Sequence, residues 1–372
     1  MENLNIKKLG FGLMRLPMLN GKVDIEQTKQ MVDLFMSKGF TYFDTAYGYI
    51  NETSESAIKT ALVDRYPRES FCLATKLPAF SAKNAEAAKR MFWTSLERTG
   101  ARYFDFYLLH NIGGNRDKIF EKYGIWEFVS ELKNKGLIQH MGFSAHASAD
   151  YLDALLSKHP EVDFVQLQIN YADWEDSIVQ SRKCYETAVK HGKPVIVMEP
   201  VKGGSLANLP DEAAAIFRDV NPSASQASWA IRFAASLEGV LTVLSGMSTI
   251  EQMENNVSYM EQFQPLSAEE YAAIEKVQQI LASIPHVPCT DCRYCEKGCP
   301  QHVSIPGIFK NYNDYLLHHD LELIRGDYEW QVSNGNRPTA CIGCGACERV
   351  CPQSIHIIEE LKKAADIFEV GV

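Results

Sequence analysis

No run of the roughly 18 apolar residues that a membrane-spanning helix needs occurs in this 372-residue chain. The opening MENLNIKKLGFGLMRLP has neither the apolar core nor the small-residue cleavage site of a secretory leader, so the cytoplasm is the expected compartment. Positive charge is also scarce. There are 37 Lys and Arg against 47 Asp and Glu, a net charge of −10, and no long basic run. Nucleic acid, which is bound by clustered cations that displace counterions, is therefore not an expected partner, and neither is a membrane. Low-complexity tracts are missing too, and 46% hydrophobic with 23% charged residues is the composition of a soluble globular protein.

A chain of this length suggests one large domain and a smaller one. Up to about residue 284, short apolar runs alternate with helical patterns. The runs are LGFGLM from Leu9, TYFDTA from Thr41, FCLATK from Phe71, FDFYLLH from Phe104, HMGFSA from His140, FVQLQI from Phe164, PVIVME from Pro194 and VLTVLSG from Val240. Continuous hydrophobicity suits strands covered on both faces, as in a parallel sheet. Between them, Asp24 and Gln27 resemble a capping box, Met31, Val32 and Phe35 form an apolar face, and Gly39 ends that helix. A second helix has Asn84 as N-cap, Ala88, Met91, Phe92 and Leu96 on one face, and Gly100 at its stop. The expectation is an α/β fold, a (β/α)8 barrel over residues 1–284. A doubly wound open sheet competes, but the first apolar run lacks the GxGxxG turn such a sheet places there. A helix from about Glu269 to Ile284 closes the barrel, and SIPHVP reads as a linker to a mostly helical domain at 285–372.

Of ten cysteines, eight lie in two groups in that second domain. The first reads CTDCRYCEKGCP, with Cys289, Cys292, Cys295 and Cys299; the second reads CIGCGACERVCP, with Cys341, Cys344, Cys347 and Cys351. Structural zinc would pair two C-x2-C units and leave one cysteine of each group idle. Both groups resemble the C-x2-C-x2-C-x3-C-P run of bacterial two-cluster ferredoxins. The resemblance implies two [4Fe–4S] clusters. It further implies that Cys289, Cys292, Cys295 and Cys351 hold one and Cys341, Cys344, Cys347 and Cys299 the other. The helix-like IPGIFKNYNDYLLHH between the groups is similar to the insert of helical ferredoxin modules fused to redox enzymes. Cys72 and Cys184 read as small buried hydrophobes.

At the ends of the barrel runs, polar residues interrupt the apolar ones: FDTAYGY supplies Asp44 and Tyr49, FCLATK ends in Lys76, and FYLLHN ends in His110. With GFGLMRLP at the start, this set resembles the aldo/keto reductases over nearly all of residues 5 to 260. The resemblance implies carbonyl reduction by hydride from a nicotinamide. The chemistry is sound in itself, because carbonyl oxygen needs a proton as hydride reaches carbon, and an ammonium beside a tyrosine favours the phenolate. Tyr49 is then the general acid, Lys76 its tuner, Asp44 the anchor of Lys76, and His110 the group that orients the carbonyl. Tyr47 is the rival acid, set aside by the family spacing of five residues after the Asp.

For the cofactor, LSGMSTIEQMENN resembles the family's phosphate-binding turn, where helix-start N–H groups receive phosphate. Gly246, Ser248, Gln252 and Asn256 align with the family's cofactor-contacting positions and Gln166 with the one that usually binds the carboxamide; Gly12, Met14, Arg15, Ser144 and Met198 are further cofactor-binding candidates the resemblance implies. Three departures stand out: Gln252 where many relatives have Arg for the 2′-phosphate of NADP, Met198 where a tyrosine often stacks, and Ser144-Ala145 for the usual Ser-Asn. NAD(H) and NADP(H) are both expected ligands. Because nicotinamide moves two electrons and an iron–sulfur cluster one, a flavin would be needed to couple them directly, yet the chain carries no flavin signature. The expected function is an iron–sulfur oxidoreductase acting on a small carbonyl or alcohol, with a redox-partner protein for the clusters. The alternative is an electron-transfer protein whose barrel is a docking scaffold. The loop IGGNRDKIFEKYG after His110 is expected to shape the substrate pocket.

Overall fold

The computed structural model describes residues 6–113, 116–177, 179–318, 321–333 and 335–369. Gly114 and Asn115 of the expected pocket loop, and His319 at the end of the expected insert helix, lie outside them. All eight apolar runs form strands: β1 (Leu9–Gly12), β2 (Tyr42–Asp44), β3 (Cys72–Leu77), β4 (Phe104–Ile112), β5 (Ile138–Ala145), β6 (Phe164–Gln168), β7 (Val195–Met198) and β8 (Val240–Gly246). Each pairs in parallel with its neighbours, and β1 pairs with both β2 and β8, so the sheet closes into a barrel. The open sheet is thereby excluded.

Side chains alternate in and out along each strand. Tyr42, Ala74, Phe106, Leu108, Phe164, Ile196 and Leu244 meet inside as one buried cluster, with Phe106 rings 4.9 Å from Tyr42 and 5.1 Å from Phe164. Gly142 makes room for this plug, because a Cβ there would lie 2.5 Å from the Phe164 ring. One step further along, the same inward parity carries Asp44, Lys76, His110, Ser144, Gln166, Met198 and Gly246, the residues that form the C-terminal mouth. The plug is hydrophobic because it is dry; the mouth is polar because it is not. Both facts come from a period of two.

The helix Ile25–Ser37 is capped by Asp24, whose carboxylate accepts the Gln27 N–H at 3.0 Å, and it buries Met31, Val32 and Phe35. Asn84 caps Ala85–Thr99 through the Ala87 N–H at 2.8 Å, and Gly100 ends it in the left-handed conformation at φ 65°. That helix buries Ala88, Phe92, Ser95 and Thr99 rather than Met91 and Leu96. Ser95 on the packed face lies beside the carboxyl of the buried Glu55.

By Cα proximity the chain falls into two compact units, Met1–Val201 with Ala227–Ser267, and Lys202–Gln226 with Ala268–Val372. The first contains the barrel. In the second, the helices Asp211–Val220 and Ala268–Ser283 pack together, and Ile305–His318, Leu321–Ser333 and Ile357–Phe368 surround a core of Val303, Ile308, Phe309, Tyr328, Leu361 and Phe368. Tyr328 and Phe368 stack at 4.3 Å. No helix among the described residues is long and apolar enough to cross a membrane.

Candidate active site and cysteine module

Lys76 is 1% exposed and its ammonium is fully occupied. It donates to Asp44 Oδ1, to the Thr45 carbonyl at 2.8 Å and to Tyr49 Oη at 3.2 Å. The Tyr49 ring in turn meets the His110 ring edge-on at 5.9 Å. Asp44, Tyr49, Lys76 and His110 are thus brought together at one side of the mouth. Tyr47 is not among them: its ring lies 4.3 Å under the Arg98 guanidinium.

Burial sets the electrostatics. It raises the Asp44 carboxyl, against the pull of Lys76, and lowers the Lys76 ammonium, against the pull of Asp44 and then Glu55. His110 is held well below the usual imidazole range, first by burial and then by Lys76, His146 and Arg116. It is therefore a neutral hydrogen-bonding group at physiological pH. A phenol against an ammonium, beside a neutral imidazole, can give a proton to an oxygen placed between the two rings.

Two residues here escaped the sequence reading. Glu55 is completely buried beneath Ala85–Thr99; it accepts from Thr75 Oγ1 at 2.7 Å and lies 3.7 Å from Arg98. Burial raises its carboxyl, opposed by Thr75, Ser95 and Arg98. Asn111 follows His110 with a left-handed φ of 59° and is 3% exposed. Nothing in a single sequence marks either one, since a Glu in a polar stretch and an Asn after a His read as surface.

The expected nucleotide residues line the rest of the mouth. Ser144 Oγ accepts the Asn111 N–H at 2.8 Å, and Gln166, paired in register with Ser144, is 2% exposed with no hydrogen-bond partner for its Oε1. Such an orphaned buried acceptor fits the amide of a nicotinamide. Met198 is half-buried at the end of β7. Gly12 and Gly246 are register partners, and Gly246 gives its space to Arg15, whose side chain a Cβ there would meet at 3.3 Å. Met14 shares the 3-10 turn Leu13–Arg15.

Past β8, Thr249 caps the helix Ile250–Met260. Ser248 Oγ donates to the Arg15 carbonyl at 2.8 Å, and the Ser248 N–H donates to Gln252 Oε1 at 2.7 Å. Gln252 thus folds back over the turn's own amide. Asn256 is the buried brace below, donating to Ser245 Oγ at 2.9 Å and accepting from the Tyr259 hydroxyl at 2.6 Å.

The eight cysteines of the C-terminal unit form no disulfide among the described residues. Their loops share a backbone. Asp291 and Arg293 in the first, and Gly343 and Gly345 in the second, are left-handed at matching positions, with φ of 51°, 60°, 68° and 69°. Each loop then enters a short helix, Tyr294–Lys297 or Ala346–Val350. Gly203 presses on the first loop so closely that a Cβ would lie 2.9 Å from the Thr290 carbonyl.

Cys341, Cys344 and Cys347 line one cavity, and the fourth cysteine there is Cys299, with Ile305, Ile358 and Leu361 beside it. Cys295 is pushed up by burial and by the negative charge of Cys292, Cys289 and Cys351. Cys347 is pushed up to about 11, with Cys341 among the causes. Each set of four draws three thiols from one loop and one from the other. Thiolates that repel one another in a closed site are a donor set for a cationic metal centre. Among the described residues no three His, Cys, Asp or Glu converge on a single ion. A four-iron cluster takes one thiolate at each corner and sets its ligands further apart. Cys72 and Cys184 are apart from all this, their thiols raised by burial to about 12 and about 11.

A barrel with this mouth, joined to a module of paired cysteine loops, is the architecture of a redox enzyme. The chain belongs to the aldo/keto reductase family, whose model matches residues 8–279, and it carries a 4Fe-4S dicluster domain, matched over residues 288–356. It is an oxidoreductase. An aldo-keto reductase of Mycolicibacterium vanbaalenii is 25% identical over 261 residues, 70% of this chain and 86% of that protein. A probable aldo-keto reductase of Glycine max is 28% identical over 189 residues, and there the alignment spans 51% of the relative's length and 48% of this chain. L-galactose dehydrogenase of Arabidopsis thaliana is 22% identical, covering 76% of this chain and 93% of that one. Among solved structures, an aldo/keto reductase of Klebsiella pneumoniae in complex with NADP and acetate superposes with a TM-score of 0.61 at 21% identity. The holo form of an aldo-keto reductase from Bacillus halodurans gives 0.59 at 24%. Each spans 74% of this chain and 93% of its own. These two likenesses speak to the fold.

Proposed function

We propose that the barrel reduces a small carbonyl compound, or oxidises the corresponding alcohol, with Tyr49 as proton donor. The observation that carries this is the single ammonium of Lys76 shared by Asp44 and Tyr49 Oη, with His110 on the far side of the phenol. Bound nicotinamide, as in the Klebsiella pneumoniae relative, would supply hydride to the carbonyl carbon. Ser144, Gln166, Gly246, Ser248 and Asn256 hold the nucleotide, and Gly12, Met14, Arg15, Met198 and Gln252 border it. His110 donates a hydrogen bond to the carbonyl oxygen and fixes its direction. Tyr49 delivers its proton to that oxygen, and Lys76, kept in place by Asp44, stabilises the phenolate left behind. The plug of Tyr42, Phe106 and Phe164 closes the floor to water.

In residues 285–372, Cys289, Cys292, Cys295 and Cys351 hold one [4Fe–4S] cluster and Cys341, Cys344, Cys347 and Cys299 the other. Such clusters pass electrons singly, which suits exchange with a redox-partner protein. The test of the barrel reading is Tyr49→Phe. It lowers carbonyl turnover by about 100- to 10,000-fold and leaves iron content unchanged, whereas Tyr47→Phe keeps near-full turnover. Comparable losses in both variants would move the acid elsewhere.

A further inference from the structure

The register of β4 on β5 slips between Leu109, opposite Phe143, and Ile112, opposite Ala145. His110 and Asn111 therefore both face Ser144. Such a bulge re-aims the extra side chain, and Asn111 sits beside His110 at the end of β4. Asn111 pays for this position with a left-handed backbone, and the Arg116 Nε–H, 2.9 Å from the Asn111 carbonyl, fixes the peptide. Its side-chain Oδ1 is buried and has no hydrogen-bond partner among the described residues. Neither does Oε1 of Gln166, one strand beyond Ser144. Ser144 itself accepts the Asn111 N–H, and its hydroxyl hydrogen has no acceptor among the described residues.

Buried polar groups without partners are rare and costly, so two on the strands that flank β5 mark a place for a ligand. The set is one hydroxyl donor flanked by two carbonyl acceptors. A primary carboxamide is its complement, with one C=O to accept and two N–H to donate. The geometry points to Asn111 as a third holder of the nicotinamide carboxamide, doing from β4 what Ala145 cannot do from β5. This inference rests on the nicotinamide reading above. In it Asn111 and Gln166 each take one amide N–H while Ser144 donates to the amide oxygen, which fixes the face the ring presents to substrate.

The test uses binding alone. Calorimetry on the iron-loaded protein compares NAD with its 3-acetylpyridine analogue, in which a methyl group replaces the amide nitrogen. Asn111→Gly tolerates the left-handed backbone and removes the acceptor. It is expected to weaken NAD binding about three- to tenfold, the worth of one neutral hydrogen bond, and to leave analogue binding unchanged. Asn111→Ser, too short to reach, gives the same comparison should glycine loosen the barrel. Equal losses for both ligands, or none for NAD, would overturn the assignment while the nicotinamide reading stands. Binding of neither ligand by the unmodified protein would overturn both.

Discussion

An ammonium with 1% exposure is a large electrostatic commitment for a barrel to make. Lys76 and Asp44 are tolerable there only together, because each neutralises the field the other would suffer in a low-dielectric interior. Removing one partner leaves the other charge stranded. Lys76→Met is accordingly expected to lower stability by about 3–5 kcal/mol, and adding Asp44→Asn to recover most of the loss, as read by chemical denaturation of the single and double variants. Equal stability of the two would mean that the pair is not coupled.

Two histidines give the barrel a pH dependence. His110 and His146 are both depressed by burial, His146 to about 4. Unfolded, each takes a proton near pH 6.5; folded, neither does until well below that. Between those values the unfolded chain binds more protons, so stability rises with pH, is complete above about 6.5 and is lost on acidification toward 4. Thermal midpoints should fall across that window, and His146→Asn should make the fall shallower. A flat profile would show that these imidazoles ionise freely in the folded protein.

At the scale of elements, the helix start after β8 is where a preference between the two nucleotides would be set. An N-terminal amide there ordinarily awaits an anion. Here Gln252 already accepts the Ser248 N–H, and it offers no guanidinium to grip a 2′-phosphate. NADH is therefore expected to bind at least as well as NADPH, and Gln252→Arg to shift the ratio toward NADPH by roughly 10- to 100-fold, the worth of a charge-assisted contact of about 1.5–3 kcal/mol. Dissociation constants at one ionic strength decide it. A tenfold preference for NADPH in the unmodified protein would place another cation at the phosphate.

The cysteine loops are a second case where backbone and side chain must agree. Arg293 holds, without being glycine, the left-handed conformation that Gly345 holds freely. An internal repeat visible as cysteine spacing is thus also a repeat in backbone conformation.

Across the whole molecule, metal and fold are linked. Burial and neighbouring thiolates raise the Cys295 and Cys347 thiols, so ionising them is costly unless a bound iron centre stabilises the thiolates, and loading would then be coupled to folding. Anaerobic preparation should yield about eight irons and eight sulfides per chain. Chelation or air should bleach the chromophore and lower the melting point of the C-terminal module before that of the barrel. Zinc in place of iron, or a melting profile indifferent to the metal, would contradict the paired-cluster reading.

The strands, the helix caps at Asp24 and Asn84 and the cysteine groups could be read in the sequence, since each rests on local chemistry: a continuous apolar run, a side chain reaching three residues ahead, a fixed spacing; the tetrad candidates came from the resemblance to a family. What the tertiary structure alone decided are facts about neighbours distant in the chain. That Lys76 reaches the hydroxyl of Tyr49, the tyrosine the spacing had already selected 27 positions away, is one of them. The burial of Glu55 depended on a helix 30 and more residues later turning Ser95 and Arg98 toward it. Asn111 is aimed by a one-residue slip between strands, and no pattern within a strand encodes the register of its partner. Hydrophobic period fixes which side chains face inward; only the closed barrel fixes which of them meet.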